Sequence, residues 1–192
     1  PDQISAGTAE GFRRLAGSLA ARVDGGGKTV FVTGAAPLEG KTTTTLNLAA
    51  SLAAAGERVI LVDADSRRPA LTRTLSLASP RGLTSVVTGG AGLLEALEHS
   101  PALPESVRVL PQEPNDILAP VQVSGVAADS LIRGSISIAD WLLFDGPALS
   151  HAPDALPIAK RAATVVLVVH LGKTRERDLV DLGGRRHDPA GN

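Results

Sequence analysis

The 192-residue chain has no cysteine, no methionine and no tyrosine, and its aromatic residues are limited to Phe12, Phe31, Phe144 and Trp141. Without cysteine there is no disulfide framework, no thiol nucleophile and no thiolate-held zinc or iron–sulfur cluster, a usage that suits a reducing compartment. Without methionine, a chain that starts at Pro1 is expected to be a processed or excised segment. So few aromatic rings make no base-stacking platform, and phenolic chemistry is excluded within these residues. Long apolar runs are missing as well. Runs such as Val165 to Val169 fall far short of the roughly 18–20 residues a bilayer helix needs, and the polar surroundings of Asp2 hold no signal-peptide core. Neither charge sign is in excess. Nineteen Lys and Arg against 20 Asp and Glu give a net charge of -1, without the basic surplus of a nucleic-acid binder, so no nucleic-acid partner is expected.

What is present describes one globular domain. The chain is 43% hydrophobic and 20% charged, with a mean hydropathy of +0.13, ordinary values for a folded domain with a sizeable core. Phe12, Leu15 and Leu19 share one helical face before Asp24-Gly25-Gly26-Gly27, a turn signal. Thr29–Thr33 reads as a strand, Thr42–Ala55 as a helix stopped by Gly56, and Arg58–Asp63 as a strand whose unbroken apolar run implies cover on both faces. Gly82–Val87 and Leu93–Leu97 read as short helices around Gly89-Gly90, and Val107–Leu110 as a third strand. A weak helical pattern follows the prolines 111, 114 and 120. Trp141–Asp145 and Thr164–Val169 are further strands, separated by a helical stretch near Asp154–Arg161. The alternation predicts an α/β fold with a mostly parallel sheet and helices on both faces.

Three constellations carry chemistry. Ala35-Ala36-Pro37-Leu38-Glu39-Gly40-Lys41-Thr42 fits the relaxed phosphate-loop (Walker A) pattern between a strand and a helix, where backbone N–H groups cradle phosphate. There Lys41 reaches the β/γ oxygens and Thr42 offers a hydroxyl to Mg2+, with Thr43 next to it. Asp63, Asp65 and Arg67 end the second strand, at the sheet edge where ligands bind in open α/β folds, and both carboxylates are expected to face the phosphate-loop crevice. Asp145 closes an apolar strand in the manner of a Walker B carboxylate. His99, His151, His170 and His187 lack metal-ligand spacing. Arg185-Arg186 reads as a solvated tail, and no Gly-x-Ser-x-Gly elbow supports a hydrolase triad.

Taken together, Thr33–Ala49 with its Pro37, Glu39, Gly40, Lys41 and Asn47, Asp63-Ala64-Asp65-Ser66-Arg67-Arg68-Pro69, Gly82–Gly89 and Val107–Pro111 resemble the bacterial tyrosine kinases of capsule and exopolysaccharide assembly. Asp145 to Ala155 and Val165 to Asp178 extend the likeness over nearly the whole chain. The resemblance implies a P-loop NTPase fold binding ATP and Mg2+. It implies Lys41, Asp63, Asp65 and Arg67 in catalysis, residues 35–43 around ATP, and Thr42, Asp63 and Asp145 at the metal. It also implies a ring-forming homo-oligomer in which Glu10 and Arg13 belong to a Glu-x-x-Arg-x-x-Arg motif. The implied partner is a membrane chain-length regulator, fused or separate, at the cytoplasmic face of the bacterial plasma membrane. On this division residues 1–24 are an oligomerisation helix, 28–182 the kinase-like domain and 183–192 a polar tail.

Four departures bear on activity. Leu38 stands where the family has glycine, which is expected to deny the loop a positive φ. Ala148 replaces a proline, Ala16 replaces the last arginine of the ring motif, and the tyrosine acceptor must lie in trans or in a missing tail. Two other readings stay open: a ParA/MinD-type partitioning ATPase, whose loop carries an early lysine where this chain has Ala36, and a nucleotide-gated scaffold without phosphoryl transfer.

Overall fold

The computed structural model describes residues 5–22, 28–113, 123–148 and 156–175. Twelve elements follow in chain order: α1 (Ala6–Ala20), β1 (Lys28–Gly34), α2 (Lys41–Ala54), β2 (Val59–Asp63), α3 (Ala70–Thr74), α4 (Leu83–Thr88), α5 (Leu93–Ala96), β3 (Val107–Leu110), α6 (Gly125–Ile136), β4 (Trp141–Ala148), α7 (Leu156–Ala159) and β5 (Thr164–Val168). The strands form one sheet in the order β3-β2-β4-β1-β5, and every pairing is parallel.

β1 and β2 are parallel, as a strand–helix–strand unit requires, but they are not neighbours: β4 lies between them and pairs with both. Strand alternation then divides the core. Val30, Val32, Val59, Leu61, Val107, Trp141 and Leu143 face α1, α2 and α3, with Leu48, Leu52 and Leu71. Phe31, Ile60, Val62, Leu110, Leu142 and Phe144 face the other side, with Leu83, Ala96, Leu131 and Ile158. Each such valine, leucine, isoleucine or phenylalanine, fully withdrawn from water, contributes about 1.5–3 kcal/mol, which is why unbroken apolar runs form the central strands. α2 covers its face through Thr45, Leu48, Ala49 and Leu52, the i, i+3, i+4, i+7 set of one helical stripe. α1 starts at Ser5, whose side chain accepts from the Thr8 N–H, and buries Ala16 and Leu19.

Several expectations change in detail. β4 runs on past Asp145 to Ala148, held by the buried Thr33 hydroxyl donating to the Pro147 carbonyl at 2.7 Å. A short α3 interrupts the stretch after Pro69, where no helix is expected from the sequence. The weak pattern following Pro120 resolves into α6, capped by Ser124. β5 is only half covered, with Val165 and Leu167 exposed. The Asp24–Gly27 turn, Pro114, Pro120, His151, Asp154, Ala155, Asp178, Leu182 and the tail 183–192 lie outside the described residues. Among the described residues, no helix is long and apolar enough to cross a membrane.

Candidate functional site

The chemistry gathers at the C-terminal edge of β1, β2 and β4. β1 ends at Gly34, the chain loops through residues 35–40, and α2 begins at Lys41 after Gly40, whose φ of 91° is a left-handed value that favours glycine. The loop therefore aims the unpaired N–H groups at the start of α2, and the positive end of its dipole, at one point. Against that point lies a cleft of about 380 Å³ lined by the loop and α2 (Pro37 to Thr43 except Glu39), by Asp65 and Arg68 after β2, by Ala70 and Arg73 of α3, and by Asp145 and Gly146 of β4.

Register brings the two strand-end carboxylates together, since Asp63 of β2 pairs with Asp145 of β4. They nevertheless serve different surroundings. Asp145 Oδ2 accepts from the Thr42 hydroxyl at 2.7 Å and Oδ1 from the Thr45 hydroxyl at 3.2 Å. Burial pushes the Asp145 carboxyl up to about 6, against the lowering pull of these two hydroxyls and of Lys41. Lys41 Nζ donates to the Ala36 carbonyl at 3.0 Å, across the loop. The hydroxyl and carboxylate oxygens of Thr42 and Asp145, set beside a cluster of amide donors, form the hard-oxygen set that fits Mg2+ next to a phosphate.

The structure does not bring Asp63 into the cleft, contrary to the expectation that both carboxylates of the Asp-Ala-Asp stretch face it. Asp63 is fully buried. Its Oδ2 accepts from both the N–H and the hydroxyl of Thr72 at 2.8 Å, and Oδ1 from the Asp65 N–H at 3.3 Å. Burial raises its carboxyl to about 7, offset in part by the Thr72 bonds. As placed, Asp63 anchors α3 through Thr72, and α3 carries Arg73 to the cleft wall. Asp65 does line the cleft, and its Oδ1 accepts from the Arg68 N–H at 3.0 Å. That turn presents Arg68, rather than Arg67, to the cleft. Ala35, Ala36 and Glu39, expected around ATP, belong to the loop but do not line the cleft. On α1, the exposed Arg13 and the half-exposed Glu10 are bonded to each other at 2.7 Å, while Ala16 turns inward.

Sequence reasoning did not single out Thr45, Thr72, Arg73 or Gln112, whose Nε2 donates to the Asp63 carbonyl at 2.8 Å. A signal existed for Thr45: it follows Thr42 by three positions on one helix, so both hydroxyls share a face. None existed for Arg73 and Thr72, on a five-residue helix too short for periodicity.

Leu38 retains the positive φ that glycine would take, at 63°, with its side chain 87% exposed. A side chain in that region costs about 1 kcal/mol or more. Leu38→Gly is thus expected to raise the urea-unfolding midpoint, by about 0.5–1 kcal/mol in stability after glycine's extra chain entropy is subtracted; a lower midpoint would show that the loop stores no strain.

A parallel sheet with a phosphate loop facing a strand-end aspartate defines a P-loop nucleotide-binding domain. The family model described as the CobQ/CobB/MinD/ParA nucleotide binding domain matches residues 30–166, and the chain belongs to that family. Tyrosine-protein kinase YwqD of Bacillus subtilis (strain 168) is 32% identical over 159 residues, spanning 81% of this chain and 65% of that protein. Succinoglycan biosynthesis transport protein ExoP of Rhizobium meliloti (strain 1021) is 30% identical over 163 residues, spanning 81% of this chain but only 20% of its own length. The solved kinase domain of VpsO superposes with a TM-score of 0.75 at 26% identity, covering 92% of this chain and 86% of that one.

Proposed function

We propose that this chain is the Mg-ATP-binding, phosphoryl-transferring domain of a protein-tyrosine kinase that serves exopolysaccharide or capsule export. The carrying observation is the Thr42–Asp145 hydrogen bond of 2.7 Å at the mouth of the phosphate loop, with Lys41 beside it. Lys41 and the first amides of α2 would hold the β/γ-phosphates, and Thr42 and Asp145 would hold Mg2+. When bound, Mg2+ neutralises charge on the transferring phosphate. Asp65, facing the same cleft, is the carboxylate placed to accept the proton of an incoming hydroxyl, while Arg68 and Arg73 balance phosphate charge. Asp63 acts from behind, holding α3 and so Arg73 in place. Catalysis of this kind works by positioning and charge neutralisation without a covalent intermediate.

The names of YwqD and ExoP support the kinase activity and the link to polysaccharide export. In this reading residues 28–182 are the ATP-binding domain, and α1, with Glu10 and Arg13 outward, contacts neighbouring copies. A membrane chain-length regulator would hold the assembly at the cytoplasmic face of the plasma membrane. The acceptor tyrosine must come from outside these residues, since the sequence has none.

The test supplies the chain with Mg-ATP and a tyrosine-rich peptide and follows phosphotyrosine and free phosphate separately. Phosphotyrosine formed by the wild type and lost in Asp145→Asn is the expected result. Phosphate release alone would favour a partitioning-type ATPase, and nucleotide binding with neither product a scaffold.

A further inference from the structure

Glu39 is a buried carboxylate, 6% exposed, on a loop whose neighbouring Pro37, Leu38 and Gly40 line the cleft. It turns away from the cleft and back over the end of β1. Its Oε2 accepts from the Ala36 N–H at 2.9 Å, and its Oε1 accepts from the Thr174 hydroxyl. Thr174 belongs to the turn that follows β5, and its hydroxyl oxygen accepts from the His170 N–H at 2.9 Å. That N–H occupies the hydroxyl oxygen, so the hydroxyl proton is directed at Glu39. Two lines of donors therefore converge on the Glu39 carboxylate: the His170 N–H donates to Thr174 and the Thr174 O–H to Oε1, while the Ala36 N–H donates to Oε2. The Ala36 carbonyl is meanwhile taken by Lys41 Nζ, so both backbone polar groups of this one residue, in two successive peptide units, are held. Gly34 makes the space, because a Cβ there would collide with the Glu39 carboxylate and lie 3.1 Å from the Val168 carbonyl.

We propose that Glu39 and Thr174 form a latch that sets the phosphate-loop geometry from the turn after β5, making Glu39 a positioning residue and not a contact to nucleotide. The inference rests on the reading of the cleft as a nucleotide site. It goes beyond that reading in linking the conformation of residues 170–174 to phosphate affinity. A hydrogen bond to a largely buried carboxylate contributes more than a neutral one, so its loss loosens the amide cradle without touching the ligand.

The experiment uses the full chain and compares wild type with Thr174→Val, Thr174→Ser and Glu39→Gln. Three quantities are read: hydrogen exchange of the amides from Ala36 to Thr42, the Kd for a fluorescent ATP analogue with Mg2+, and the thermal midpoint. Thr174→Val and Glu39→Gln are expected to speed exchange at the Ala36 amide and to weaken the analogue by about tenfold. The midpoint should fall by only a few degrees, the size expected for one lost hydrogen bond, and Thr174→Ser should restore both signals. Unchanged exchange in Thr174→Val overturns the latch. Faster exchange with unchanged Kd overturns its part in nucleotide binding. If the wild type binds no analogue at all, the nucleotide reading fails, and exchange alone still decides whether the latch exists.

Discussion

Lys41→Ala is expected to weaken Mg-ATP binding on the order of 100-fold, the loss that follows when a charged donor to phosphate is removed from a site that keeps its remaining contacts. The folded chain should tolerate the change. Lys41 Nζ donates to the Ala36 carbonyl at 3.0 Å, a part-buried bond worth about 1.5 kcal/mol. Isothermal titration on wild type and variant separates the two effects, because the unfolding midpoint should move little while affinity collapses. An affinity within a few-fold of wild type would remove Lys41 from the site. Thr45→Val gives a useful contrast, since it removes one of the two hydroxyls on Asp145 and leaves the phosphate cradle intact.

Stability should fall as pH rises from about 4 to about 8, opposite to the behaviour of a chain dominated by exposed ion pairs. Burial raises the Asp63 carboxyl to about 7 and the Asp145 carboxyl to about 6, from an ordinary 3.8. Between those values the folded state holds protons that the unfolded chain has released. Stabilisation is therefore fully present below pH ~4 and is lost as pH climbs through about 6 to 7. At about 1.4 kcal/mol per unit, Asp63 alone accounts for on the order of 4 kcal/mol. Carboxyls shifted the other way do not interfere. Asp140 is held down to about 2 by the side chain of Arg58. Glu113, whose burial is outweighed by N–H bonds from Ser85 and Gly82, is also lowered. Both contribute stability that is lost as pH falls through the carboxyl range, not as it rises toward 8. Urea unfolding at pH 5 and pH 8 should show a marked loss for wild type and a nearly flat response for the Asp63→Asn/Asp145→Asn double variant. Equal slopes would show that both carboxyls titrate normally. Because Mg2+ takes a deprotonated carboxylate, its addition at pH 8 should restore part of the loss in wild type alone.

The strands that build the site were legible because burial on two faces demands unbroken apolar runs. Val59–Val62 and Trp141–Phe144 show that demand directly. The phosphate loop was legible because its residues are dictated by backbone geometry, Gly40 above all. The placement of Asp63 was not. A carboxylate at a strand end turns either to the ligand edge or into the layer above, and the choice was made by Thr72, on a helix too short to leave a pattern. Leu38 misled for a related reason: propensity disfavours a positive φ, but the loop closure imposes it and the side chain escapes into solvent. The neighbour relations of the strands were hidden as well. β1, α2 and β2 follow one another in the chain, and nothing local in them reveals that β4 separates the two strands.

That insertion also sets a timetable. The strand at the centre of the sheet is the fourth of its five to be synthesised, and the Thr33 to Pro147 bond that seats it joins residues 114 positions apart. At about 5–20 residues per second, a ribosome delivers the second partner roughly 5–25 s after the first. Until then β1 and β2 have no strand between them, and Phe31, Val32, Leu61 and Val62 lack the cover that β4 brings. Pairings of such long range are slow to form and costly in loop closure. The pair of oxygens that fits Mg2+, Thr42 and Asp145, is therefore assembled only once β4 has been made, long after the loop that holds the phosphate.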